Sequence, residues 1–136
     1  MSAVSDLNWL VGQFSRAVPG ITSAAVVSAD GLLLAMNEGM ERSQGDQLAA
    51  IASGMASLTR GAALCFEQGE VRQVMIEMEL GFLFVMAISD GSILVTVTDT
   101  RADVGLVGYE MARLVGRVGA LLTPELRREL QAALPL

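Results

Sequence analysis

The stretch VVSADGLLLA, Val26 to Ala35, decides how the chain folds. Two apolar runs meet at Asp30-Gly31. Asp-Gly between apolar runs predicts a β-hairpin closed by a type I′ turn, in which both central residues take positive φ. Gly adopts that conformation freely, and Asp tolerates it better than most residues. A catalytic Asp30 would need a partner acid, base or metal, and the sequence offers none. Asp30 therefore reads as a corner. Asp90-Gly91, within Ser89 to Ser92, repeats the pattern between two further apolar runs.

Upstream of the first corner, Leu7, Leu10, Val11, Phe14 and Val18 recur at helical spacing, and Pro19-Gly20 ends that helix. Downstream, NEGMERSQG is a loop leading into a second helix, DQLAAIASGMASLTRGAALCF, with Ser43 and Asp46 spaced to cap it. VRQVMIEM, GFLFVMAI and ILVTVTD then read as three strands at short spacing. Thr100-x-x-Asp103 opens a third helix, VGLVGYEMARLVGRVGALL, and Thr123-Pro124-Glu125 starts a short terminal one reaching about Ala133. The expected class is α+β: a five-stranded antiparallel sheet with helices on both faces, in the order α-β-β-α-β-β-β-α plus a C-terminal helix. One domain is expected over residues 1–136, with a core of about 4–122 and an extension over 123–136.

Composition narrows the chemistry. The chain is 52% hydrophobic with a net charge of −6, so a phosphate backbone is an unfavourable partner and nucleic-acid binding is not expected. All nine basic residues are Arg, a hint of a GC-rich genome. With no His, neither a Ser-His-Asp nor a Cys-His pair can form, and there is no His metal ligand. Cys65 is the one cysteine and reads as a buried structural thiol. No run reaches the roughly 18 continuous apolar residues of a membrane helix, and the N-terminus has no secretory pattern, so a cytoplasmic location is expected. No catalytic, metal-binding or cofactor-binding residue is expected.

The second helix is unusual. Leu48, Ile51, Ala52, Met55, Leu58 and Ala62 form an apolar stripe. Opposite them stand Asp46, Ala49, Ala50, Ser53, Gly54, Ser57, Arg60 and Gly61, where a solvated face would carry Glu, Lys, Arg and Gln. Gly54 alone costs roughly 1 kcal/mol against Ala in a helix interior, so something must offset it. The ridge Ala49, Ser53, Ser57, Gly61 would let another helix approach closely, and the same helix of a second copy is the simplest candidate. The alternative is a small-residue helix lying flat on its own sheet. VRQVMIEM alternates, with Val74, Ile76 and Met78 on one side and Val71, Gln73, Met75 and Glu77 on the other, as an edge strand would. Gly105, Gly108, Ala112, Gly116 and Gly119 of the third helix are expected against the sheet or the first helix. Trp9 lies off the first helix's stripe, as a cover for the terminal helix or an anchor for a partner.

The ordered set LNWLVGQFSRAVPGITSAAVVSADGLLLA, then GDQLAAIASGMASL, then three strands and a helix, resembles the roadblock/dynein light-chain superfamily over about Leu7 to Leu122. The bacterial stand-alone members, encoded beside small Ras-like GTPases in gliding-motility and conservon systems, are the most similar. The resemblance implies the second helix on one sheet face and the first and third on the other. It also implies a homodimer through the second helix and third strand, with Ala49, Ala50, Ser53, Gly54, Ser57, Gly61, Val71, Gln73 and Met75 at the interface. It implies a non-catalytic regulator or scaffold for a small Ras-like GTPase. Asp46, Gln47, Ala50, Ser53, Gly54, Ser57 and Arg60 would lie on the partner surface. A sensor-kinase complex is a further candidate partner, and membrane recruitment would run through partners.

Two other functions compete with this one. A small-molecule sensor of the GAF or PAS type would need polar groups among its apolar strands, and Thr96 and Thr98 are the candidates. A hydrolase or transferase would use a carboxylate pair, of which Glu77 and Glu79 are the nearest. On an edge strand that pair reads as a solvated rim. Arg60 is the arginine placed to act in trans on a nucleotide, although a lone helical Arg is ordinarily just solvated.

Overall fold

The computed structural model describes residues 3–89 and 91–134. The elements are α1 (Ala3–Ala17), β1 (Ile21–Val27), β2 (Leu33–Met36), α2 (Arg42–Cys65), β3 (Gln73–Met78), β4 (Gly81–Ala87), β5 (Ile93–Thr98), α3 (Val104–Leu121) and α4 (Pro124–Ala133). The five strands form one antiparallel sheet in the order β2-β1-β5-β4-β3. The expected α+β class and element order hold.

The first corner joins β1 to β2 without being a type I′ turn. Ser28 N–H donates to Leu32 O (2.8 Å) and Gly31 N–H to Ser28 O (3.0 Å), leaving a three-residue loop, Ala29-Asp30-Gly31. Only Gly31 takes positive φ (+87°); Asp30 does not. Bringing Ala29 into the loop spares the L-residue Asp30 a left-handed backbone, so glycine alone bears it. Ser28 Oγ donates to the Asp30 carboxylate and accepts from Leu32 N–H (3.1 Å). Asp30 is thus spent on its own corner. Leu34 is an extra residue in β2: the register steps from Val26↔Ala35 to Val27↔Leu33. The second corner repeats the bonds, Ile88 N–H to Ser92 O and Gly91 N–H to Ile88 O, while Asp90 lies outside the described residues.

Two apolar clusters sandwich the sheet. On one face α1, α3 and α4 supply Leu7, Val11, Val107, Met111, Val118 and Leu130 against Ala24, Val26, Phe84 and Leu94. On the other, α2 stands alone and supplies Leu48, Ala49 and Ala52 against Val27, Leu33, Val85 and Val95. β4 is buried through Leu83, Phe84 and Val85, as a strand covered on both faces should be.

The helix starts differ from expectation. α2 begins at Arg42 with Glu41 as N-cap, whose backbone N–H donates to the Gln44 carboxamide (3.1 Å). Asp46 instead pairs with Arg42 one turn away (3.0 Å), so the Ser43/Asp46 cap is corrected. Asp103 rather than Thr100 caps α3, accepting from Leu106 N–H (3.2 Å). Thr123 caps α4 as expected, with Pro124 in the first turn.

Candidate functional site

The region of interest is built from α2 and β3. α2 rides close to β2: a Cβ at Gly45 would meet Leu33 Cδ2 at 2.7 Å and Met36 Sδ at 2.9 Å. So close an approach requires small side chains underneath. The sheet-facing residues are Gly45, Leu48, Ala49 and Ala52, with Met55 and Ala56 partly buried beside them. This corrects the sidedness of the helix. Ala49, expected at an interface, is 1% exposed beneath its own helix. Ile51 (52% exposed) and Leu58 (78%), expected in the core, face outward.

The outward face therefore carries Gln47, Ala50, Ile51, Gly54, Ser57, Leu58 and Gly61, with Asp46 and Arg60 as its flanking charges. A Cβ at Gly54 or at Gly61 would touch nothing within 4 Å. Ser53 is half-buried; a Cβ at Gly31 would lie 3.1 Å from its Oγ, which has no hydrogen-bond partner. Cys65 is exposed at the helix end, not buried, because the last turn of α2 overhangs the sheet together with exposed Leu64 and Phe66. Glu67 follows in positive φ (+53°), and Gln68 N–H donates to Ala63 O (2.8 Å), a Schellman ending with Glu where Gly is usual.

α2 is also long and apolar enough, by length and composition, to cross a membrane: an 18-residue window averages a hydropathy of 1.3. Its packing onto β1, β2 and β5 uses part of that apolar character, through Leu48, Ala49 and Ala52, while Ile51, Leu58 and Leu64 remain exposed.

Among the described residues β3 pairs only with β4 and is an edge strand. Gln73 and Met75 are exposed and Val71 half-buried, as expected of a rim. The other side is barer than its alternation suggests. Ile76 and Met78 are also largely exposed, because α2 covers the sheet up to Val74 and no further. Leu80 at the β3–β4 turn is exposed too. An open groove of about 1090 Å³ runs between the C-terminal half of α2 (Ala56, Thr59, Ala63) and the paired strands (Val74, Val85).

The other candidates fall elsewhere. Thr98 Oγ1 accepts from Phe82 N–H (3.1 Å), and Thr96 is wholly buried with an unpartnered hydroxyl; neither lines the groove beside α2. Glu77 lies on the exposed rim. Trp9 is half exposed on α1. Of the small residues of α3, Gly119 approaches the end of β4, where a Cβ would lie 3.0 Å from Ser89 Oγ and 3.7 Å from Ile88 Cγ2, but the others do not pack as expected: Ala112 is exposed, and Cβ atoms at Gly108 or Gly116 would meet nothing within 4 Å. α3 touches the sheet and α1 through Val107, Met111, Leu114 and Val118 instead. Arg101 donates to Asp99 Oδ2 from both Nη2 (2.7 Å) and Nε (3.1 Å), which draws the Asp99 carboxyl below the usual range and raises the guanidinium.

Five antiparallel strands, one thinly covered face, an open strand margin and an uncharged helix surface beside it define a class: an α+β domain of the roadblock type. The chain belongs to the Roadblock/LC7 domain family, whose model matches residues 7–98. It is similar to a Roadblock/LC7 domain from Streptomyces avermitilis at 39% identity and TM-score 0.78, over 82% of this chain and 92% of that one. An uncharacterised protein of Methanocaldococcus jannaschii is 32% identical over 106 residues, 75% of this chain and 88% of its own. Myxococcus xanthus MglB shares the fold at 16% identity and TM-score 0.79, over 86% of this chain and 94% of that one.

Proposed function

We propose that the protein is a homodimeric, non-catalytic regulator or scaffold for a small Ras-like GTPase in bacterial signalling. The observation that carries this is the outward face of α2. Ala50, Ile51, Gly54, Leu58 and Gly61 form an apolar, nearly uncharged strip beside the open β3 edge. A helix strip with glycines among exposed aliphatics suits close contact with a second helix, and an unpaired strand suits pairing with its own copy. Gln47, Ala50, Gly54, Ser57 and Arg60 would then lie about the two-fold axis, on the surface offered to the GTPase. Family membership and the fold shared with gliding-motility MglB support the same reading.

The test has two arms. Sedimentation should give two copies per particle. The dimer should then bind a Ras-like GTPase from the same genome with an affinity that depends on whether GDP or a GTP analogue is loaded. A chain that stays monomeric at high micromolar concentration overturns the first half. A dimer indifferent to every such GTPase in both nucleotide states overturns the second.

A further inference from the structure

The two margins of the sheet are unlike. β3 is open, whereas β2, the opposite margin, is covered by α4. α4 begins directly after α3 and packs against both α1 and β2. Leu126 and Leu130 are buried in the cluster on the α1 face. Leu134, one turn further on, packs into the cluster on the opposite, α2 face. The helix and its end therefore cross the β2 margin from one layer of the protein to the other, at i, i+4, i+8 leucine spacing.

An edge strand exposes a row of unpaired backbone groups and invites pairing, and covering it with a helix is one established remedy. We infer that α4 caps a second self-association surface, the β2 edge, whose occupant when α4 is displaced is the β2 edge of another copy. Two features of β2 suit that occupant. It is apolar throughout, from Leu33 to Met36, and it carries no charged residue to block pairing. With both margins open, each chain could pair at β3 and again at β2, and association would run on into open-ended chains instead of closing at two copies. α4 is what stops it.

The test is the mass of the particle over a hundredfold range of concentration, for the full chain and for a chain ending at Leu122. The full chain should hold one mass. The shortened chain should grow beyond two copies as concentration rises, and a synthetic peptide of residues 123–136 should return it to the full-chain mass. Return by the peptide separates edge pairing from indiscriminate aggregation. If the shortened chain fails to fold by circular dichroism, the full-length double variant Leu126→Ser, Leu130→Ser takes its place. A folded variant with the mass of the full chain at every concentration overturns the inference, as does growth that the peptide leaves untouched or failure of both variants to fold. The β3 reading fails separately. A monomeric full chain would refute that reading, and a shortened chain then stopping at two copies through β2 would still support the cap.

Discussion

Gly54 gives the sharpest test of the α2 face, through two substitutions with opposite expectations. It lies in a helix interior with open space where a Cβ would stand. For an isolated chain, Gly54→Ala should therefore be a pure gain in helix propensity, about 1 kcal/mol. That is a rise of roughly 3–5 °C in melting temperature for a domain of this size. Gly54→Glu also gains propensity, yet in the proposed dimer it would bring two carboxylates towards the symmetry axis. At about 6 Å and an effective dielectric of about 20, their repulsion is about 3 kcal/mol, before several more for removing each charge from water. Since 1.4 kcal/mol is tenfold in affinity, the dimer should weaken at least a hundredfold. Sedimentation should then show monomers at concentrations where the parent is dimeric. The monomer should remain folded and at least as resistant to heat as the diluted parent. Gly54→Glu chains that sediment like the parent would refute the packing of this face against its twin.

Other positions carry expectations of their own. Gly81→Ala should be severely destabilising, by more than about 3 kcal/mol, because its Cβ would fall 1.8 Å from Thr98 O and the β4–β5 ladder would have to open; urea titration reads this directly. Glu67→Gly should stabilise by up to about 1 kcal/mol, by removing a left-handed side chain from the α2 ending, and a raised urea midpoint checks it. The Asp99 carboxyl should titrate below an ordinary aspartate by NMR, chiefly because the Arg101 side chain donates to it; Arg101→Gln should return it towards the ordinary value. The sign follows: a depressed folded pKa adds stability above the unfolded value and loses it as pH falls through the folded one, so the effect is confined to strongly acid solution.

Much of the fold was legible because apolar runs and turn residues agree along the chain. The two Asp-Gly corners, the apolar run of β4 and the Thr123-Pro124 start each announced themselves. What misled was α2. A helical wheel weights bulky residues, so Ile51 and Leu58 pointed the stripe inward. The sheet lies too near for bulk at Gly45, and Ala49 and Ala52 are what fit there. Nothing local records an interaxial distance. Gly108 and Gly116 of α3 misled in the same way: small residues suggested contact, which Gly119 makes beside Ser89 and Ile88, yet elsewhere the valines, Met111 and Leu114 make it. The docking of α4 across β2 depends on residues about ninety positions apart, and no periodicity encodes that. For the candidate surface, Ala50, Gly54, Ser57 and Gly61 were found from composition, whereas Ile51 and Leu58 were missed, although each stands three residues before one of those glycines.

The outward strip of α2, aliphatic and almost without charge, has a thermal consequence. Whatever settles on it is held chiefly by removal of apolar surface from water, so its binding carries a negative heat-capacity change. Such a union loosens on ice and tightens with moderate warmth, and it is nearly blind to added sodium chloride.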